Sequence, residues 1–267
     1  MPPIEPRPAT SILLLREAEE GDELEVFMLQ RNPQVAFCGG ALVFPGGKLE
    51  DADGHARFRQ HCLGADSLDD DELRFRVAGL RELFEESGIL LARRRGCEGL
   101  LDGTALAELK ARWQRHIQGD ARRFLELLEE EALLLAIDQL EPFAHWVTPA
   151  FLDKRFDTRF FIAAAPAGQA ALHDGGEAVD SLWINPQRAL EEGEAGRHSL
   201  VFVTAQNLRL LLGIDNLAQA LAMARQRPRR SVQPWLEDIG GIRHLCIPED
   251  AGYPEAVFPL RPGGGGF

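Results

Sequence analysis

Cysteine is scarce in this 267-residue chain, and none of it is paired. Cys38, Cys62, Cys97 and Cys246 are scattered, with no Cys-x-x-Cys among them. A chain this long builds a core without staples, so reduced thiols are expected rather than disulfides, and the spacing supports no zinc site. Basic charge is also short, with 29 Lys and Arg against 42 Asp and Glu, a net charge of −13. That balance argues against nucleic acid as a partner. Long hydrophobic runs are missing. Met1 to Thr10 is Pro-rich with no basic region before an apolar run, and Ile12 to Leu15 is too short for a signal or a span. Arg261 to Phe267 reads as a flexible Gly-rich tail without a Ser-Lys-Leu signal. A cytoplasmic protein with no membrane partner is the expectation. No internal repeat is present. What remains is a chain with 45% hydrophobic residues, ordinary for a globular core. Its length allows one large domain, or one domain with an appendage.

The apolar patterning alternates between strand and helix. Ala9 to Arg16 and Leu24 to Arg31 read as a hairpin turning at Glu20 to Glu23. Ala41 to Phe44 is a short buried strand running into Pro45-Gly46-Gly47. Residues 54–70 are polar and read as a surface helix or loop, with His55 and His61 given no role. Asp102 to Ile137 is strongly helical, with Gly119-Asp120 dividing it in two, and is expected to be a helical insertion that could form a lid. Phe143 to Val147, Arg155 to Ala163 and Val179 to Ile184 return to strand character. Asn185 opens a helix with Pro186 in its first turn, and Thr204 to Leu212 and Asn216 to Arg225 are amphipathic helices. Residues 231–260 have little periodicity and are expected to wrap the domain or join a partner in a homodimer.

The chemistry concentrates on the helix predicted over Leu73 to Ser87. At about 100° per residue, Leu73, Val77, Leu80 and Phe84 form one buried stripe. Glu82, Glu85 and Glu86 fall on the other side, close enough to point at one volume. Three such carboxylates repel unless a cation lies between them, and hard oxygen donors suit Mg²⁺ or Mn²⁺. Arg81 lies one turn before Glu85 and can pair with it, and Gly88 is a helix stop. A solvated acidic face is the competing reading. The Phe44-Pro45-Gly46-Gly47 turn favours the site, because glycine lets backbone approach a ligand closely.

These residues resemble the Nudix box, Gly-x5-Glu-x7-Arg-Glu-U-x-Glu-Glu-x-Gly-U, with U aliphatic. Arg81, Glu82, Leu83, Glu85, Glu86, Gly88 and Ile89 match the second half throughout. The first half starts at Gly47, but Asp53 stands at its Glu position, and residues 54–80 replace the seven-residue spacer, an excess of about twenty. Asp53, or an acid within Asp69 to Glu72, takes over the missing Glu. A box split this way is similar to that of the coenzyme A diphosphatase subgroup of Nudix hydrolases with an interrupted box. Arg31, Gly40, Phe44, Pro45, Gly46 and Gly47 partly match the coenzyme A signature of some members.

The resemblance implies an α/β fold, a Nudix-type α/β/α sandwich with a mixed sheet plus a helical insertion and a helical C-terminal extension. It implies a flexible N-terminus over 1–8, a hydrolase domain over 9–230 with insertions near 54–72 and 102–137, and a C-terminal extension over 231–267. Glu82, Glu85 and Glu86 would hold Mg²⁺ or Mn²⁺, Arg81 would orient them, and Glu177 would be a further metal ligand or general base. Arg31, Phe44, Gly46, Gly47 and Arg155 would meet the substrate. The implied reaction is metal-dependent hydrolysis of a phosphoanhydride in a nucleoside diphosphate-linked small molecule, first of all coenzyme A or acyl-coenzyme A. Two alternatives stand beside it: a pyrophosphatase acting on ADP-ribose, a nucleotide sugar or a dinucleotide, and a non-catalytic nucleotide-binding sensor.

Overall fold

The run Ala9 to Leu15 in the first strand is buried at every position. Side chains alternate across a sheet, so a strand with no exposed face needs cover on both sides. The computed structural model describes residues 4–18, 23–34, 39–169 and 178–260 and supplies that cover. The strands are β1 (Arg7–Glu17), β2 (Leu24–Arg31), β3 (Ala41–Val43), β4 (Gly46–Lys48), β5 (Ala92–Arg94), β6 (Leu133–Leu135), β7 (Glu141–Val147), β8 (Phe156–Ala164), β9 (Ala178–Ile184), β10 (Ser199–Leu200), β11 (Ser231–Val232), β12 (Trp235–Ile239), β13 (Ile242–Cys246) and β14 (Val257–Pro259). The helices are α1 (Asp70–Ser87), α2 (Gly103–Ile117), α3 (Ala121–Glu130), α4 (Pro186–Glu194), α5 (Phe202–Arg209) and α6 (Leu217–Gln226).

The main sheet runs β10-β3-β2-β1-β8-β7-β11, with β4 also pairing β1 and β9 also pairing β2. It is mixed: β1 is parallel to β8 and antiparallel to β2 and β4. Ile12 and Leu14 point into a core shared with Val77, Leu80 and Phe84 of α1 and with Leu106, Phe124 and Leu128 of α2 and α3. Leu13 and Leu15 point into the opposite core with Leu208, Ala220 and Ala224 of α5 and α6. The expected layered α/β sandwich is therefore present. Among the described residues, no helix is long and apolar enough to cross a membrane. Cys62, Cys97 and Cys246 are free thiols, and Cys38 lies outside the described residues.

Two expectations need correction. The 54–70 stretch is not a plain surface segment. Its short 3₁₀ turns bury Phe58 and His61, and a ring nitrogen of His61 lies 3.2 Å from the Leu133 carbonyl oxygen. Residues 231–260 are not a featureless or helical extension either. They carry β11 and a separate three-stranded antiparallel sheet, β12-β13-β14. A two-residue turn joins β12 to β13. Gly240 (φ 63°) and Gly241 (φ 81°) occupy the left-handed positions that such a hairpin turn demands.

Candidate active site

Arg81 is the hub of the site. It is 1% exposed, on the α1 turn that faces β4. Its Nε donates to Asp53 Oδ1 at 2.8 Å and its Nη2 to Asp53 Oδ2 at 3.0 Å. Nη1 donates to Glu85 Oε1 at 2.9 Å and Glu82 Oε1 at 3.0 Å, and Nη2 also reaches the Lys48 carbonyl at 3.2 Å. A guanidinium fork is built for such bidentate pairing. Burial alone would lower the pKa of Arg81, but the bond to Asp53 and the charges of Glu82, Asp53 and Glu85 outweigh it and raise it.

Asp53 thus makes the pairing that was left open between it and the acids of 69–72. The latter are engaged elsewhere. Asp69 caps α1 by accepting from the Glu72 N–H at 2.7 Å, and Asp71 and Glu72 pair with Arg159. Asp53 is itself fixed by the Glu50 N–H, which donates to Oδ2 at 2.7 Å.

The carboxylates are held one by one. Glu86 Oε2 accepts from the Gly46 N–H at 2.8 Å, and Glu85 Oε2 from the Gly119 N–H at 3.0 Å. Glu82 lies under Gly47, where a Cβ would come within 2.5 Å of its carboxylate. Gly46 is equally tight, because a Cβ there would meet the Thr10 carbonyl oxygen at 2.2 Å. The two glycines therefore let the turn close onto β1 and the acidic helix. Burial pushes the Glu82 carboxyl from 4.5 up to about 7. Arg81 opposes the rise, and the negative Glu85 and Asp53 reinforce it. Glu85 is also raised by burial, against Arg81 and the Gly119 N–H.

Of the three helix carboxylates, Glu82 borders an open cleft of about 570 Å³, while Glu85 and Glu86 lie buried behind its wall and do not line it. Arg31, Phe44, Gly46, Gly47 and Glu82 line it as sequence placed them, and Lys48, Glu50, Gly119 and Lys154 join them. Arg155 does not. It is 6% exposed, and its guanidinium donates to the Thr148 carbonyl at 3.1 Å and the Ile4 carbonyl at 2.6 Å. It ties the N-terminal segment to the sheet, and Lys154 is the neighbour that faces the cleft. Arg159, on β8, pairs with Asp71 and Glu72 and lies over the ring of Phe75. Glu177 lies outside the described residues. Lys48 and Glu50 sit inside the first half of the box and were legible there. Gly119 was not, because its carboxylate contact spans 34 positions.

Among the described residues, no three metal-binding side chains stand in a ready-made cage. The donor set nevertheless fits a hard divalent cation. Glu50, Asp53, Glu82 and Glu85 all lie within 4 Å of the one Arg81 guanidinium, and Glu86 follows on the same helix, so carboxylate charge is in excess.

A layered mixed sheet carrying an Arg-centred carboxylate cluster on one helix defines the Nudix hydrolase class. A crystal structure of a NUDIX hydrolase from Alicyclobacillus acidocaldarius superposes with a TM-score of 0.67 at 26% identity, covering 82% of this chain and 96% of that one. Within the class, the family model described as the NUDT19 Nudix domain matches residues 58–198, over half of the chain, and the chain belongs to that family. The match takes in Arg81 to Ile89 but begins after Gly47 and Asp53. Proteins named acyl-coenzyme A diphosphatase NUDT19 are similar across most of their length. The one from Xenopus laevis is 26% identical over 87% of this chain and 72% of its own, and the one from Homo sapiens 28% over 95% and 76%.

Proposed function

We propose that this Nudix hydrolase cleaves the phosphoanhydride of coenzyme A or an acyl-coenzyme A, with water, into 3′,5′-ADP and phosphopantetheine or its acyl form. The observation that carries the reading is the Arg81-centred cluster of carboxylates opening into a cleft that Arg31, Lys48 and Lys154 also line. The family name of the Xenopus and human relatives favours the coenzyme A substrates over ADP-ribose or a dinucleotide.

Nudix enzymes typically depend on a divalent metal, and Glu82, Glu85 and Glu86 are the residues that would hold Mg²⁺ or Mn²⁺ here. Such a cation supplies Lewis acidity and neutralises phosphate charge. The chain contributes the rest. Arg81 and the Gly46 and Gly119 N–H groups fix the carboxylate orientations before substrate arrives, so little reorganisation is left for the reaction. Arg31, Lys48 and Lys154 offer positive charge to the pyrophosphate and 3′-phosphate oxygens. The absence of a Cβ at Gly46 and Gly47 lets this turn lie directly on β1 and Glu82 at the wall of the cleft.

The test is hydrolysis by the purified protein with Mg²⁺ or Mn²⁺ on coenzyme A, an acyl-coenzyme A, ADP-ribose and NADH, with products resolved by mass. Release of 3′,5′-ADP, preferentially from the coenzyme A compounds, is expected. Glu86→Gln should abolish it while the fold survives, since the amide oxygen can still accept from Gly46. Preferential cleavage of ADP-ribose or NADH would discard the substrate, and full activity in Glu86→Gln would discard the site.

A further inference from the structure

The carboxylate cleft does not end at its own walls. A second cavity of about 130 Å³ adjoins it and shares Phe156, Thr158, Phe160, Val201 and Val203 with it. Beyond those shared residues, the annexe is closed by Trp146, Val147, Pro149, Leu152, Phe202 and Pro234. It lies between the β7–β8 connection and the start of α5.

The Trp146 indole and the polar atoms of Thr148 in this annexe already have partners. Trp146 Nε1 donates to the Tyr253 hydroxyl at 2.8 Å and lies 3.3 Å from Asn207 Oδ1. Thr148 Oγ1 accepts from the Phe156 N–H at 2.9 Å. The Thr148 carbonyl accepts from Arg155 at 3.1 Å. No ionisable side chain lines it. A purine would bring ring nitrogens and an amino group that need partners, and burying them unpaired is costly. An alkyl chain brings no such demand and gains from leaving water.

We propose that this annexe is the subsite for the acyl chain of the substrate, with the carboxylate cleft holding the diphosphate and Leu152 setting the chain length accepted. The inference rests on the acyl-coenzyme A reading above. It also gives Arg155 its place: by anchoring the Thr148 carbonyl, it holds the loop that forms one wall. The chain would pass from the cleft over Phe156 and Val201, residues common to both cavities.

The test is calorimetric binding of coenzyme A, hexanoyl-coenzyme A and decanoyl-coenzyme A in EDTA, so that turnover cannot consume them. Wild type is compared with Leu152→Trp, which fills the annexe, and Leu152→Ala, which enlarges it. Each methylene buried is worth about fourfold in affinity. Wild type should therefore bind decanoyl-coenzyme A at least about tenfold more tightly than coenzyme A. Leu152→Trp should erase that gain and leave coenzyme A within about twofold, and Leu152→Ala should shift the preference toward longer chains. Equal affinity of wild type for coenzyme A and decanoyl-coenzyme A would overturn the proposal. So would an equal loss of all three ligands in both folded variants. Hydrolysis is read separately with Mg²⁺. Chain-dependent binding without release of 3′,5′-ADP would keep the annexe and sink the reaction, and release without chain dependence would do the reverse.

Discussion

Asp53→Asn is the sharpest test of how a split box still works. The substitution keeps the size of a side chain that is 1% exposed. It removes the charge, and it replaces one of two acceptor oxygens with an amide that can only donate. Arg81 presents Nε and Nη2 to those two oxygens at 2.8 and 3.0 Å, so one guanidinium N–H would face another donor. A hydrogen bond to a charged group contributes about 1.5–3 kcal/mol, and breaking a buried ion pair costs about 3–5 kcal/mol. Arg81 keeps Glu85, Glu82 and the Lys48 carbonyl, which brings the expected loss to about 2–4 kcal/mol. In a protein of this size that lowers Tm by roughly 5–12 °C.

Urea unfolding measures the loss, and Mg²⁺-dependent hydrolysis measures its consequence. Activity should fall by at least about tenfold, because Arg81 orients both Glu82 and Glu85. Asp53→Glu supplies the residue of the uninterrupted box and should not help. The extra methylene has no space at a buried position and costs about 1–3 kcal/mol. If Asp53→Asn unfolds within about 0.5 kcal/mol of wild type and turns over fully, the pairing is ornamental and the reasoning fails.

Gly47→Ala places a Cβ within 2.5 Å of the Glu82 carboxylate, so activity should fall about tenfold or more while the unfolding midpoint moves little; an unaffected kcat/KM would show that Glu82 can move aside. The metal response should depend on pH. Burial lifts the Glu82 carboxyl from 4.5 to about 7, so the folded state keeps a proton that the unfolded chain releases. This group is therefore neutral in effect below pH 4.5 and costs stability increasingly as pH rises toward 7, by at most about 3 kcal/mol. A cation at Glu82 relieves that cost above pH 7 and competes with the proton below it. The Mg²⁺-induced rise in Tm should be larger near pH 8 than near pH 5.5, and an equal rise at both would refute the role of Glu82.

Local pattern made part of this molecule legible. The α1 stripe and its carboxylates follow from helical period alone, and Leu24–Arg31 is a strand with the bounds that its sequence suggests. Gly119-Asp120 divides α2 from α3 as read, with Asp120 accepting from the Arg122 N–H at the new helix start. The misses have a common cause. Whether Arg155 meets solvent, substrate or a carbonyl depends on Ile4, 151 positions away, and no local pattern carries that. His61 is buried by Leu133 in the same fashion. The terminal sheet is a different case, since Ile239-Gly240-Gly241-Ile242 is a hairpin signal that charge around β12 and β13 obscured.

The site also explains how a box interrupted by about twenty residues retains its geometry. Arg81 requires a carboxylate in space, not at a fixed separation in sequence, and Asp53 meets that need from the connection ahead of α1. The added stretch is not idle. Phe58 within it packs on Phe124 of α3 with ring centroids 6.3 Å apart, so the first inserted stretch docks the helical one. The docked α2–α3 turn then reaches the acids. The Gly119 N–H donates to Glu85, and the Ala121 N–H donates to Glu50 Oε2 at 2.9 Å. Ala121 opens α3, where backbone N–H groups carry partial positive charge and stabilise a carboxylate. The two stretches therefore act together as a brace on the negative cluster. A lid that opened freely would have to break both bonds and leave Glu85 and Glu50 less compensated. On this geometry the helical pair is a fixed part of the site.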